Sequence, residues 1–484
     1  MKLDPGACYR ALLARDPRFD GVFFTGVSTT GVYCRPVCTA RTPRERSCTF
    51  YRSGAEAEKA GFRACLRCRP ELAPGNASVD AVSDLVRRAV ARIDAGGLNE
   101  RSVDELAGSL GVTDRHLRRA MEAELGVSPV ELAQSRRLAL AKQLLHDTRL
   151  DLVAIAFASG FASVRRFNAL FRARFGRAPS DVRRKIGPTG RAGSQRSDPG
   201  VVLVLDYRAP LDWTALLGFL AGRAIPGVER VADGAYERTI RLGALRGTVS
   251  VRPHARRSAL SVQVSPGLEG ALMALAMRLR ALFDLDADPR AVDAHLALDP
   301  LLAPAVRAHP GLRVPGAFDP FEMAVRALLG QQVSVRAAST LAGRLVRAFG
   351  EPLAEPDRQL FPLPERLAGE SAAALAGIGL PLARAESLRS LAAACADGTL
   401  EFQFTPPREL VTRLQELPGI GPWSAEYIAM RARGDPDAFP AGDLGIRKAL
   451  GGLTPARARE RARRWSPWRS YAVMHLWTRL SEGI

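Results

Sequence analysis

Between residues 80 and 186, apolar positions recur at helical spacing in short blocks, and one unit occurs twice. "SVDELAGSLGVTDRHLRRAMEAELG" and "DLVAIAFASGFASVRRFNALFRARFG" each predict a short apolar-faced helix, a turn holding Gly111 or Gly160, and a second helix studded with Arg. In the second copy Phe161, Phe167, Phe171 and Phe175 are expected to pack a core. Arg165, Arg166, Arg172 and Arg174 are expected to reach outward, as phosphate and base-edge contacts require. After residue 200 the period changes: "VVLVLDYRAP" and the runs at 236–242, 247–253 and 259–265 read as strands, with a helix on each side. From about Ala317 the helical period returns and continues to the end. Within it "LQELPGIGPWSAEYIAM" (414–430) reads as helix, Gly-x-Gly hairpin and helix. There Gly419 and Gly421 let backbone amides approach a phosphate with no Cβ in the way.

These periods and their punctuation divide the chain into a segment 1–75, an all-α double helix-turn-helix segment 80–186, a polar Gly/Pro-rich linker 187–200, an α+β segment 201–315 and an all-α segment 316–484. A multidomain protein of α and α+β class is expected, since 484 residues exceed one ordinary core. The N-terminus lacks a signal-peptide apolar core, and the most apolar helix-like run, "ALMALAMRLRALF", is interrupted by Arg278 and Arg280. A soluble, monomeric, cytoplasmic protein with no membrane partner is the expectation. Net charge of +19, almost all from Arg, suggests a polyanion, with nucleic acid first. Residues 1–187 carry net +12 and residues 188–484 net +7, so the basic excess is concentrated in the first two fifths.

Four of the seven cysteines form Cys34-x3-Cys38-x26-Cys65-x2-Cys68, two short knuckles of the kind that hold one tetrahedral Zn²⁺. Cys8, Cys48 and Cys395 stand apart, which fits a reducing compartment, and Cys395 in "LAAACADG" reads as a buried helix residue. Spacing alone is equally satisfied by a purely structural zinc site. The surrounding "LLARDPRFDGVFFTGVSTTGVYCRPVCTARTPRERSCTFYRSGAEAEKAGFRACLRCRP" resembles the amino-terminal domain of Ada-type adaptive-response activators over nearly its whole length. The following "GFASVRRFNALFRARFGRAPSDVR" resembles the AraC-type DNA-binding domain. By that resemblance Cys34 is a methyl acceptor as well as a ligand, taking a methyl group irreversibly from a DNA methylphosphotriester. Cys38, Cys65 and Cys68 complete the metal set. Arg165 and Arg166 are then DNA-contacting residues, and promoter DNA and RNA polymerase are the implied partners. A metal-bound sulfur stays deprotonated at neutral pH, and a methylphosphotriester is uncharged, so the chemistry is reasonable on its own terms. Methylation removes one negative charge from the site, which would tighten binding to DNA.

The reactive "PCHR" motif usual in the carboxy-terminal part of Ada-type proteins does not occur here. Instead the hairpin at 414–430 resembles that of the helix-hairpin-helix DNA glycosylases. "DWTALLGFLAGRAIPGVERVADGAY", "RVPGAFDPFEMAVRALLGQQVSV" and "RWSPWRSYAVMHLW" resemble AlkA-type 3-methyladenine DNA glycosylases in order and spacing, covering nearly all of 201–484. The resemblance implies that Asp443 is the catalytic carboxylate and that Trp423, Tyr427, Trp477 and Phe219 line a pocket for an extruded base. The residue filling the gap in the base stack would come from "LGQQVS", where Gln331 and Gln332 stand and an apolar wedge would be expected. Bifunctional relatives carry a lysine where Trp423 stands, so no lyase step is implied. Taken alone, Asp443 would be a helix N-cap, and Trp465, Trp468 and His475 are core or surface residues. Two function classes follow. One is a damage-switched activator fused to a hydrolytic glycosylase for alkylated bases, and the other a transcription regulator whose glycosylase-like half only binds DNA.

Overall fold

The computed structural model describes residues 3–73, 83–99, 101–148, 150–186, 200–402 and 405–482. The expected linker lies outside the described residues but for Gly200. The chain divides into two compact units. One comprises Met1–Arg208, Leu242–Gly247 and Pro253–Met277, the other Ala209–Arg241, Thr248–Arg252 and Arg278–Ile484.

The first unit begins with a four-stranded sheet. Phe24–Val27 pairs antiparallel with both Val32–Cys34 and Cys48–Tyr51, and Arg63–Ala64 runs parallel to Val32–Cys34. A turn at Gly31, φ +64°, joins the first two strands. Its small core is Phe24, Tyr33, Ala57 and Ala64, with the helix Gly54–Lys59 capped by Ser53.

The repeat read from the sequence folds as two helix-turn-helix units. Val103–Ser109 and Asp114–Leu125 form the first, Leu152–Ala158 and Val164–Phe175 the second, joined by the long helix Pro129–Asp147. Each turn needs a left-handed residue, supplied by Gly111 (φ +74°) and Gly160 (φ +83°). The second helices are N-capped by Thr113 and Ser163 and end on left-handed Gly126 and Gly176. Phe161, Phe167 and Phe171 are buried as expected, each burial contributing about 2 kcal/mol. Phe175 is the exception: it is half-buried and packs on the core of the preceding sheet module.

Other docking contacts within this unit are ionic. Lys142, 1% exposed in the helix Pro129–Asp147, pairs with Glu71 at 2.8 Å and donates to the Cys65 carbonyl at 3.3 Å. Arg69 makes a bidentate pair with Asp147 at 2.8 and 3.0 Å. Arg174 does not reach outward as expected: it pairs at 3.4 Å with the buried Glu58. The unit also holds the antiparallel pair Val201–Asp206 and Ala259–Val264, with Val201 opposite Val264.

In the second unit Glu229–Ala232 and Ala235–Leu242 form a hairpin whose two turn residues, Asp233 and Gly234, both have positive φ. Glu229, Glu322 and Arg238 are buried, with the half-buried Arg326 beside them. Arg238 donates to Glu322 at 2.7 Å, Arg326 pairs with Glu229, and the Tyr236 hydroxyl donates to Glu229 at 2.5 Å. One apolar core gathers around the helices Pro320–Leu329, Val335–Phe349 and Leu382–Ala396, another around Arg469–Glu482. Trp465, Trp468 and His475 belong to the core. Cys395 lies in a helix but is only half-buried; desolvation pushes its thiol up to about 12. The segment expected to be all-α also carries a short two-stranded ribbon, Glu351–Pro352 against Gln359–Leu360. No helix among the described residues is long and apolar enough to cross a membrane.

Candidate metal centre and candidate active site

Cys34 ends a strand, Cys38 follows the Arg35-Pro36 turn, and Cys65 and Cys68 follow the strand Arg63–Ala64. The sheet therefore brings the two knuckles together, with the four Sγ atoms within 4.8 Å of one another. A tetrahedral Zn²⁺ with bonds of about 2.3 Å would set sulfur spacings of about 3.8 Å, so small side-chain adjustments suffice to close the set on one ion. Amide N–H groups already point at sulfur, Arg35 N to Cys68 at 3.4 Å and Ala40 N to Cys38 at 3.5 Å. Such donors stabilise thiolate charge. Arg35 turns inward to the carboxylates of Asp20 and Asp206, so it pins the turn between the first two ligands. Cys34 and Cys38 are buried, Cys65 and Cys68 half-buried. Exposure therefore does not single out Cys34 among the four.

On the second helix of each helix-turn-helix unit, the exposed cations are available to a polyanion. Arg165, Arg166 and Arg172 are exposed, whereas Arg174 is taken by Glu58.

The helix Pro407–Glu416, the hairpin and the helix Pro422–Ile428 appear where the sequence places them. Gly419 has φ +77°, and a Cβ there would lie 2.1 Å from Ser387 Oγ, so only glycine fits. A Cβ on Gly421 would meet no atom of the described residues within 4 Å, so that side of the hairpin is open among them. Gln331 does not project freely: its amide donates to Gly419 O and Ser424 Oγ, both at 2.9 Å, fastening its loop to the hairpin. Gln332 is exposed at the loop tip in a left-handed conformation, φ +57°.

Asp443 is the N-cap of Leu444–Ala449, accepting from Ile446 N at 2.9 Å. The same carboxylate also accepts the indole N–H of Trp423 on Oδ2 at 3.0 Å and that of Trp477 on Oδ1 at 2.9 Å. The ordinary capping role and a place in the cleft thus coincide. Trp423 and Tyr427, one helical turn apart, stack at 5.4 Å and 6°. Phe219 and Trp477 face each other nearly parallel at 6.4 Å and 20°. Gly445 is constrained by this cluster, since a Cβ there would press on Asp443 Oδ1 and the Trp477 ring at 3.1–3.2 Å. Two arginines that sequence reasoning missed stand among the rings. The Arg223 guanidinium lies 3.7 Å from the Phe219 centroid. That of Arg431 lies 4.8 Å from the same centroid, and Arg431 donates to the Tyr427 hydroxyl at 2.9 Å. Burial would raise the Tyr427 phenol, but the charges of Arg431, Arg223 and Arg326 outweigh it and hold it below its ordinary value.

Four family models match this chain in order. They are the metal binding domain of Ada over 7–71, a helix-turn-helix domain over 106–185, the AlkA N-terminal domain over 202–319, and the HhH-GPD superfamily of base excision DNA repair proteins over 325–467. A probable bifunctional transcriptional activator/DNA repair enzyme AlkA of Mycobacterium tuberculosis is 43% identical over 486 residues, 99% of this chain and 97% of the relative. This chain belongs to that bifunctional AlkA family. Its parts have separate relatives as well. DNA-3-methyladenine glycosylase 2 of Escherichia coli is 43% identical over 275 residues, 56% of this chain and 95% of that protein. The bifunctional Ada of the same organism is 36% identical over 129 residues, 27% of this chain and 35% of its own length. The solved 3-methyladenine DNA glycosylase of Archaeoglobus fulgidus covers 57% of this chain and 97% of its own at a TM-score of 0.52 and 23% identity, a likeness of fold.

As a member of the bifunctional AlkA family, the chain binds zinc through Cys34, Cys38, Cys65 and Cys68, all inside the matched Ada domain. Its helix-turn-helix and HhH-GPD segments make it a DNA-binding protein. Arg223 stands four residues after Phe219 and Arg431 four after Tyr427. Arg223 lies just past the helix Trp213–Ala221 that carries Phe219, and the spacing alone marks neither arginine as a neighbour of the rings.

Proposed function

We propose that this chain joins a methylation-switched transcription activator to a hydrolytic glycosylase that releases alkylated bases such as 3-methyladenine from DNA. The observation that carries the glycosylase reading is the carboxylate of Asp443, fixed by two indoles inside an aromatic cleft next to a Gly-x-Gly hairpin. Both its oxygens already accept hydrogen bonds. Its role is electrostatic: it faces the positive charge that grows on the sugar as the glycosidic bond breaks. N3- or N7-alkylated purines leave as neutral bases and need no general acid. Trp477 and Phe219 stack the extruded base, and Trp423 and Tyr427 form the adjoining wall. Amides at Gly419 and Gly421 hold a backbone phosphate. Gln332 fills the vacated stack, and Gln331 keeps its loop in register with the hairpin.

In the amino-terminal part Cys34 is the acceptor. Its sulfur attacks the methyl carbon of a methylphosphotriester; the C–O bond breaks, and the electron pair stays on the phosphate oxygen, restoring the diester anion. Bound Zn²⁺ keeps the sulfur deprotonated. Similarity to the Ada metal-binding domain supports this assignment. Arg165 and Arg166 contact promoter DNA, RNA polymerase is the downstream partner, and the protein acts as a cytoplasmic monomer. The functional segments are 1–75, 80–186, 201–315 and 316–484, with the linker between the second and third.

The test is base release from a methylated duplex by wild type and by Asp443→Asn. Asparagine also caps helices, so the variant should fold and bind an abasic-like duplex while losing release. Wild type that binds alkylated DNA without releasing any base would establish the binding-only regulator instead. For the other half, mass spectrometry after incubation with methylphosphotriester DNA should locate one methyl group on Cys34. A label on another cysteine, or on none, overturns that assignment.

A further inference from the structure

Arg35 stands between the first two cysteine ligands and reaches the second knuckle as well. Its backbone N–H points at Cys68 Sγ at 3.4 Å, and its Nη1 donates to the Cys68 carbonyl at 3.5 Å. The remaining N–H groups go to two carboxylates. Nε donates to Asp20 Oδ1 at 2.7 Å, Nη2 pairs with Asp20 Oδ2, and Nη1 also donates to Asp206 Oδ2 at 3.0 Å. Asp20 thus occupies one edge of the rigid guanidinium plane and Asp206 its opposite end, so the plane is held at both. Asp206 comes from outside the cysteine module. It ends the strand Val201–Asp206, in the segment matched by the AlkA N-terminal model, and lies in the same compact unit as the cysteines. That strand is itself fastened. Asp206 Oδ1 accepts from Arg257 at 2.6 Å, the strand pairs with Ala259–Val264, and the Val204 carbonyl accepts from Gln143 at 2.9 Å. Arg208, two residues on, donates to the Asp20 carbonyl at 3.1 Å. Asp20, Arg35, Asp206 and Arg208 are all buried. Buried charges of alternating sign support one another only while each keeps its partner, so the row Asp20, Arg35, Asp206, Arg257 holds as a unit.

We propose that Asp206 is a positioning residue for the zinc centre: acting through Arg35, it braces the turn carrying Cys34 and Cys38 against Cys68. The four-cysteine module is then completed by a side chain of the AlkA N-terminal segment, and its hold on the metal is set in part by the strand Val201–Asp206. Groups that orient metal ligands from behind govern metal affinity by about 10–100-fold. Asp206 makes no hydrogen bond to a cysteine sulfur, and its one printed link to the knuckles is Arg35 Nη1. Its influence on the metal therefore depends on Arg35 being present, which a purely structural role for the strand does not require.

The experiment is a double-mutant cycle on the zinc-loaded full-length protein, reading the rate at which excess chromogenic chelator takes up Zn²⁺. Asp206→Asn should speed release by about tenfold or more. In the Arg35→Gln background the same substitution should add little. No acceleration by Asp206→Asn, or equal acceleration in both backgrounds, overturns the proposal. Where Arg35→Gln retains no zinc, hydrogen exchange of zinc-loaded Asp206→Asn decides. Protection should fall over residues 31–40 and stay at the wild-type level in Val201–Asp206 and Ala259–Val264. Wild-type protection over 31–40, or protection lost from the two strands themselves, overturns it.

Discussion

Trp477 donates its indole N–H to Oδ1 of Asp443 at 2.9 Å, so one side chain both faces the Phe219 ring and orients the carboxylate. Trp477→Phe separates the two roles, because phenylalanine keeps a ring face and has no donor. A hydrogen bond to a charged group contributes about 1.5–3 kcal/mol. Single-turnover release from methylated duplex should therefore slow by about ten- to a hundredfold, with binding to an abasic duplex little changed. Wild-type release by this variant would mean that Trp423 and the Ile446 amide suffice to hold the carboxylate.

Trp423 occupies the first turn after the hairpin, and its indole N–H is committed to Asp443 at 3.0 Å. A lyase step needs an amine that can form a Schiff base, and indole offers none. Product strands should remain intact until heated in alkali, and borohydride should trap no covalent protein–DNA adduct. Trapping of such an adduct would require another amine in the cleft.

Much of this architecture was legible because local chemistry and tertiary structure agree. The repeated helix-turn-helix pattern, Gly111 and Gly160, the four cysteines and the hairpin glycines all sit where spacing put them. What escaped was decided by tertiary partners. Arg172 and Arg174 both read as outward cations, yet two positions apart they leave the helix on opposite sides, and Arg174 meets the buried Glu58. Phe175 keeps the helical period of Phe171 yet packs on a different module. The strand Glu229–Ala232 was missed although Asp233-Gly234 is a strong hairpin signal, because four residues show too little alternation. Arg223 and Arg431 read as ordinary surface cations until the rings they touch are known.

Removing zinc should act on one part only. All five tryptophans lie between residues 213 and 477, within the second unit. A strong chelator should unfold the four-cysteine module, because lost metal binding is lost folding energy. Hydrogen exchange should rise across residues 7–71, with tryptophan emission unchanged. Cys38→Ala should reproduce that pattern without chelator. A simultaneous change in tryptophan emission would count against metal-specific unfolding of the module.

His475 is fully buried, neither ring nitrogen has a hydrogen-bond partner among the described residues, and its pKa is lowered to about 4, first by burial and then by His309 nearby. His309 itself faces Asp212 at 2.8 Å. Between about pH 6.5 and 4 the unfolded chain binds a proton at this position and the folded chain does not, so stability falls as pH falls through that window. The full effect is about 3 kcal/mol, roughly 2 kcal/mol of it by pH 5. Urea unfolding followed by tryptophan emission should show His475→Leu losing less stability than wild type between pH 7 and 5. Parallel losses would place the acid sensitivity elsewhere.

The contrast between Arg166 and Arg174 tests which face of the second helix-turn-helix meets DNA. Arg166 is exposed near the start of its helix, and Arg174, two turns later, is committed to Glu58. Each phosphate contact contributes about −0.9 to the slope of log K against log salt. Arg166→Ala should therefore weaken promoter binding and flatten that slope by about one, in methylated and unmethylated protein alike. Arg174→Ala should leave the slope unchanged and act on stability, because it strands a buried carboxylate whose pKa burial already raises. Glu58→Gln in the same chain should recover part of that loss, since a neutral amide needs no counter-charge. Fluorescence anisotropy over a salt series, with melting curves for each variant, distinguishes the two roles. A flattened slope for Arg174→Ala would mean that Arg174 leaves Glu58 for the DNA backbone when the protein binds.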